Sequence, residues 1–237
     1  MSNDAVKKVL WWLCLFVAPS VLITIELFHP AGFTHHPGMY EYLHKPEPYD
    51  PQYKALGYFG PQWWFILHMI QTPMVGLWLL ADKVAPSDGP AATTVAWLSR
   101  VATFVFFVYY TALDSIGGIG LSKSIEITEQ LYREGKLTAE QVAGVAQVLN
   151  RTWVNEWVGG VGSFISLTGS WAVFVSALLV ATALFLTERV PWPALILLVA
   201  FGWELQVSHT MPHGPIAFGL LIISALWVWW SGRRPKR

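Results

Sequence analysis

Charge is what this chain has least of. Only 13% of its 237 residues are Asp, Glu, Lys or Arg, where a soluble domain carries about a quarter. A water-facing shell wrapped around a soluble core is therefore excluded. Fifteen basic residues balance fifteen acidic ones, so the total provides neither the basic footprint of a nucleic-acid binder nor a general pull on acidic partners. Cysteine is almost missing too. Cys14 stands alone, which forbids an intramolecular disulfide and leaves the redox compartment unread. Internal repeats and low-complexity tracts are also lacking, and 1–237 reads as a single integral membrane domain.

What the chain has in excess is apolar bulk: 54% hydrophobic residues, fourteen tryptophans and thirteen phenylalanines. Several runs reach the roughly 20 residues that a helix needs to cross a ~30 Å hydrocarbon layer. Met1–Lys8 has the basic start of a targeting segment, but the apolar run behind it is longer than a signal peptide's ~7–15 residues. It is expected to remain as an uncleaved signal anchor.

The pattern predicts an all-α bundle of six transmembrane helices, over about 9–28, 62–81, 94–116, 158–186, 193–208 and 214–230. Pro19 is expected to kink the first, since proline removes a helix hydrogen bond. The fifth and sixth are separated at Met211-Pro212-His213-Gly214-Pro215, because one helix over both would be far longer than a bilayer. The fifth, about 24 Å long at 1.5 Å per residue, spans with local thinning or forms a re-entrant hairpin with the sixth.

Lys7, Lys8, Lys83, Arg100, Arg189, Arg233, Arg234, Lys236 and Arg237 fall on one side of this arrangement. By the positive-inside bias that side is cytoplasmic and holds both termini. Tryptophans repeat the division, with Trp11, Trp12, Trp97, Trp192, Trp227, Trp229 and Trp230 expected at the inner interface and Trp63, Trp64, Trp153 and Trp157 at the outer. The expected location is a bacterial inner (plasma) membrane, with the lipid bilayer as first partner.

Two outer segments, 29–61 and 122–157, exceed simple turns and predict an ordered extracytoplasmic cap. In the second, Ser122–Arg133 reads as an amphipathic helix. Thr138-Ala139-Glu140-Gln141 reads as a capping-box start, and Val142, Val145, Leu149 and Trp153 form a stripe at helical spacing. That helix is expected to run on toward the fourth span with a bend at Gly159-Gly160. Gly162, Ser166, Ser170, Ala177 and Ala181 mark a small-residue packing face on the fourth span. Asn150-Arg151-Thr152 is formally a glycosylation sequon.

All seven histidines fall on the outer side. His29, His68, His209 and His213 lie at or just inside span ends that also carry Glu26, Asp114 and Glu204. Ionisable groups at membrane depth are costly, so such a set is a functional-site hypothesis by default. His68 lies about 10 Å into the second span, counted from Pro61. His29, His35, His36 and His44 also fit surface or capping roles. Glu26 also fits a side chain reaching to the interface, and Asp114 a helix cap. His68 and Glu204 are the hardest to place anywhere but a polar cavity.

Three chemistries fit this set. A divalent metal (zinc, iron or copper) could be held by His68, His209 and His213, with His29 nearby. Asp114 would then ligate or orient the activated water, and Glu204 or Glu26 would carry the proton. The residues could instead form a proton or ion relay in a transporter. A b-type haem between His68 and His209 is the third. A histidine on an early span, an aspartate on the next and H-x-x-x-H before the last resemble the membrane zinc hydrolases of the alkaline-ceramidase and adiponectin-receptor superfamily. The resemblance covers four residues, His68, Asp114, His209 and His213. Trp64 stands where that family has serine, the family has seven spans, and Pro212 breaks the helical register between the last two histidines. The leading expectation is a metal-dependent membrane enzyme acting on a lipid-like or apolar substrate from the outer face. A transporter, and an accessory subunit docked to a larger membrane complex or to a second copy of itself, are the rivals.

Overall fold

The computed structural model describes residues 3–29, 38–44, 60–79, 90–186 and 190–231. Lys83, Arg189, Arg233, Arg234, Lys236 and Arg237, the histidines His35 and His36, and most of the 29–61 segment lie outside these residues. Among the described residues the chain is all-helical, without a strand. The order is α1 (Asn3–Trp12), a π-turn at Leu13–Val17, α2 (Ala18–Glu26), α3 (Met39–His44), α4 (Pro61–Leu79), α5 (Pro90–Leu113), a second π-turn at Asp114–Gly120, α6 (Leu121–Arg133), α7 (Ala139–Trp153), α8 (Phe164–Leu186), α9 (Trp192–Val207) and α10 (His213–Ser231).

Four helices are long and apolar enough to cross a membrane: Ala5–Glu26, Pro90–Arg133, Phe164–Leu186 and His213–Ser231. Helices also occupy the two other expected positions, as α4 and the 16-residue α9. The helix through Pro90–Arg133 departs from expectation. Its 44 residues run without a break across Gly117-Gly118, where the third span was expected to end. Glycine is a poor helix former but has no Cβ to crowd a widened turn. The glycine-rich DSIGGIG stretch is therefore absorbed as a π-turn. At 1.5 Å per residue the helix is about 66 Å long, twice the hydrocarbon thickness. Pro19 is absorbed in the same way, behind the π-turn of Leu13–Val17.

The chain divides into two compact units, one of Met1–Leu27, Pro73–Val108 and Gly169–Arg237, the other of Phe28–Thr72 and Tyr109–Thr168. In the first, α2, α9 and α10 bury Ala18, Leu22, Phe201, Leu205, Ala217, Phe218 and Leu221. Trp11 stacks on Trp229 with ring centroids 5.6 Å apart, and Trp12 meets the same ring edge-on. Buried hydroxyls supply polar contacts between helices: Thr103 pairs with Ser176 at 2.6 Å, and Ser224 donates to the Ala194 carbonyl at 2.8 Å. The small-residue face of α8 is Gly169, Ser176, Ala177, Ala181 and Ala183. Ala177 and Ala181 are as expected, whereas Gly162 precedes the helix and is exposed.

In the second unit α3 packs against α6 and α7 around Tyr40, Tyr42, Leu43, Trp64, Leu121, Ile125 and Ala146. The capping box of α7 is formed, with Thr138 Oγ accepting from the Gln141 amide at 3.2 Å and Gln141 Oε1 from the Thr138 amide at 2.8 Å. Helix α7 stops at Trp153 rather than running on, because the Gly160 amide turns back to the Trp153 carbonyl at 2.7 Å. A Cβ on Gly159 or Gly160 would lie within 2.4 Å of that residue. Asn150 is committed to packing, accepting from the Tyr40 amide at 2.9 Å and donating to Glu41 at 2.8 Å. Its amide is thus engaged rather than displayed as a sequon. Trp64 is fully buried, and Trp63 and Trp153 are partly so. Of the four tryptophans assigned to an outer interfacial belt, Trp64 is therefore enclosed in the packed interior of this unit.

A Cβ on Gly202 of α9 would approach Ala177 Cβ to 2.5 Å, whereas one on Gly219 of α10 meets nothing within 4 Å. Gly202→Ala is expected to destabilise by about 1–3 kcal/mol through overpacking. Gly219→Ala should be neutral or stabilising by up to about 1 kcal/mol through helix propensity. Thermal unfolding of the detergent-solubilised variants checks the contrast.

Candidate functional site

The second unit holds a buried polar cluster centred on His68. Trp64, His68 and Gln71 follow one another on α4 at spacings of four and three, which places them on one face, and all three are buried. A carbonyl only accepts, so the 2.7 Å contact of His68 Nδ1 with the Trp64 carbonyl fixes the ring proton on Nδ1. Nε2 then faces Asp114 Oδ1, 4.0 Å away. His29 also lies in this cluster, its ring 5.3 Å from that of His68 and 4.9 Å from that of Trp64 between centroids. His29 is buried rather than a surface group.

Asp114 opens the π-turn of the long helix and is itself buried. Its Oδ2 lies 2.5 Å from the Thr72 hydroxyl, which also stands 3.1 Å from the His68 carbonyl. A hydroxyl has one proton and two lone pairs, so this geometry suits both states of the acid. When Asp114 is ionised, Thr72 donates to it. When Asp114 is protonated, it donates to Thr72 Oγ and the Thr72 proton turns to the His68 carbonyl.

The glycines of the π-turn bring the walls of this cluster together. A Cβ at Gly118 would stand 2.3 Å from the His68 ring, and one at Gly117 would stand 2.9 Å from Trp153. The neighbours that these glycines admit are side chains rather than backbone. The turn's carbonyls are also used: Gly117 accepts from the Trp64 indole at 2.9 Å and Gly118 from the Ser122 hydroxyl.

The first unit holds Glu204, His209, His213 and Glu26. His213, the first residue of α10, shares a 2.7 Å hydrogen bond between Nδ1 and Glu204 Oε2. This pair is partly exposed, unlike the one at His68. His209 lies in the turn ahead of α10, with Ser208 and Thr210 joined at 2.9 Å between their hydroxyls, so His209 and His213 do not share a helix. A Cβ on Gly214 would meet the His209 carbonyl at 1.7 Å and Glu26 Cγ at 3.2 Å. The glycine thus lets the end of α2 approach this turn. Glu26 is buried and does not reach out to the interface. It ends α2, while His29 lies beyond the helix in the other unit. Glu26 and His29 therefore do not share a helical face.

Among the described residues, no group of three or more His, Cys, Asp or Glu side chains is disposed to hold a metal ion. The expected metal set of His29, His68, His209 and His213 is therefore not supported. His68 directs its two nitrogens at a carbonyl and an aspartate, and His213 directs Nδ1 at Glu204. No protein family, curated protein or solved structure matches this chain. The residues missed in the sequence were Thr72, Trp64 and Ser122. Thr72 carried a usable signal, since it stands one turn beyond His68.

In the second unit, burial and the neighbouring Glu129 push the Tyr40 hydroxyl well above the usual tyrosine range. That phenol donates to Glu129, and His44 stands 3.5 Å from the same carboxylate.

Thr72→Val is expected to remove the hydroxyl that bonds to Asp114 while keeping the side-chain shape. Its cost should be about 1–3 kcal/mol, the penalty for a buried polar group left without a partner. Difference infrared spectroscopy should show the Asp114 carboxyl stretch displaced in Thr72→Val and restored in Thr72→Ser.

Proposed function

We propose that this integral membrane protein, with six spans and both termini cytoplasmic, translocates protons and that His68 and Asp114 are the groups that take up and release them. The observation that carries the reading is the Thr72 hydroxyl, placed to donate to Asp114 in one protonation state and to accept from it in the other. A purely structural aspartate needs only one of these arrangements. Three further features support the reading. His68 is held in one tautomer with Nε2 toward the acid. Both groups lie in apolar helices, where ionisable side chains mark proton pathways more often than packing. The acid also opens a π-turn, an irregularity that costs helix regularity and recurs at functional sites.

The same chemistry distinguishes this reading from a metal-dependent enzyme. A metal-bound hydroxide needs several ligands converging on one point with an open position, and among the described residues no group of three or more His, Cys, Asp or Glu side chains converges in that way. Proton exchange between an acid and an imidazole needs only small movements within the contacts described.

Purified protein reconstituted in phosphatidylcholine–phosphatidylglycerol vesicles, loaded with a pH-sensitive dye and given a potassium diffusion potential, tests this. Wild type is expected to move protons at least tenfold faster than Asp114→Asn, with Glu140→Gln on the exposed start of α7 unchanged. Equal flux in wild type and Asp114→Asn, or wild-type vesicles as tight as protein-free ones, would overturn the proposal. A Soret band in the purified protein would move the assignment to haem.

A further inference from the structure

Apolar surface in the second unit gathers where α7 ends and α8 has yet to begin. Val154, Trp157 and Val161 are 66%, 59% and 62% exposed, and Val148, Val158 and Phe164 are exposed beside them. This is no frayed end. Asn155 Oδ1 accepts from the amides of Trp157 and Val158, at 2.9 and 3.2 Å. The Phe164 amide returns to the Glu156 carbonyl at 2.7 Å. An ordered turn therefore holds large apolar side chains outward, at a cost if water were the neighbour.

We infer that Val148–Phe164 is a membrane-surface element, lying in the headgroup layer of the leaflet where α8 enters the bilayer, with Trp157 as its interfacial anchor. Continuity identifies lipid as the occupant. The Trp157 ring packs on Phe164 at 5.6 Å, and Phe164 on Tyr109 at 5.9 Å. Phe164 is the first residue of a membrane-crossing helix. That helix goes on to expose Leu167, so the apolar surface of the turn continues onto the start of the helix. Composition agrees, since α7 carries only Glu140 and Arg151 as charged residues in 15. Arg151 lies between the shallow grooves formed with Val148 and Val158 on one side and Val154 on the other. An interfacial arginine can lay its stem on such apolar surface and keep its charge among the headgroups. Trp157 is also the one tryptophan of the expected outer set that is exposed. The inference rests on the membrane reading and is independent of proton chemistry.

Nitroxide labels test it, attached in a Cys14→Ala background at Val154→Cys, Val158→Cys and Val161→Cys, in phosphatidylcholine–phosphatidylglycerol vesicles. Glu140→Cys supplies the aqueous reference and Leu178→Cys the hydrocarbon reference. Relaxation enhancement by oxygen relative to a water-soluble nickel chelate is expected to be at least threefold higher at 154, 158 and 161 than at 140, and below that at 178. Values equal to those at 140 would overturn the inference. So would spin–spin broadening at these positions that disappears on dilution with unlabelled protein, since the occupant would then be a second copy of the chain. If the reference at 178 gave the aqueous value, the membrane reading itself would fail, and the two failures are thereby separated.

Discussion

A carboxyl group buried on an apolar helix is the constraint from which the organisation of the second unit follows. Removing a polar group from water without a partner costs several kcal/mol, roughly 2–7 depending on the reference. Around Asp114 the chain supplies partners from a neighbouring helix, with the Thr72 hydroxyl at one oxygen and the His68 ring toward the other. Those partners can come close only because the helix bearing Asp114 widens into a π-turn rich in glycine. A side chain at position 118 would occupy the space of the His68 ring. The irregular backbone, the glycines and the polar groups are therefore aspects of one solution.

The tryptophans complete it from outside. Trp64 fills the space beside His68 and returns its indole proton to the Gly117 carbonyl, while Trp153 closes over Gly117 from α7. The helices α3, α6 and α7 join the same apolar cluster, and Asn150 ties α7 to α3 through both ends of its amide. Polar chemistry and helix packing thus share residues, so a change at Trp64 or Trp153 acts on both.

Periodicity and length made the helices legible. The four long apolar helices, the capping box at Thr138 and the turn separating His209 from His213 could all be read from spacing and turn chemistry alone. The continuous helix across Gly117-Gly118 could not, because glycine pairs end helices far more often than they fill π-turns, and tertiary contact decides between the two. Trp64 misled for a related reason. Amphipathic rings suit both an interface and a packed interior with a nearby acceptor, and sequence position alone does not distinguish them at Trp64. At the site, the co-burial of His68 and Asp114 was within reach of a depth argument. The role of Thr72 depends on an atomic distance, and the division of the histidines between two units depends on which helices pack together.

The two acid–imidazole pairs illustrate how burial changes the meaning of the same residue types. Glu204 and His213 touch directly at 2.7 Å but are both partly exposed, so water and salt screen the pair and its net worth is that of a surface interaction, about 0–1 kcal/mol. His68 and Asp114 are farther apart at 4.0 Å, yet almost wholly buried. There a single proton changes an interaction that little solvent can dampen, and the hydroxyl between α4 and the long helix registers which state is present. Contact distance alone would rank the exposed pair first. The energetic consequence of moving a proton ranks the buried one first.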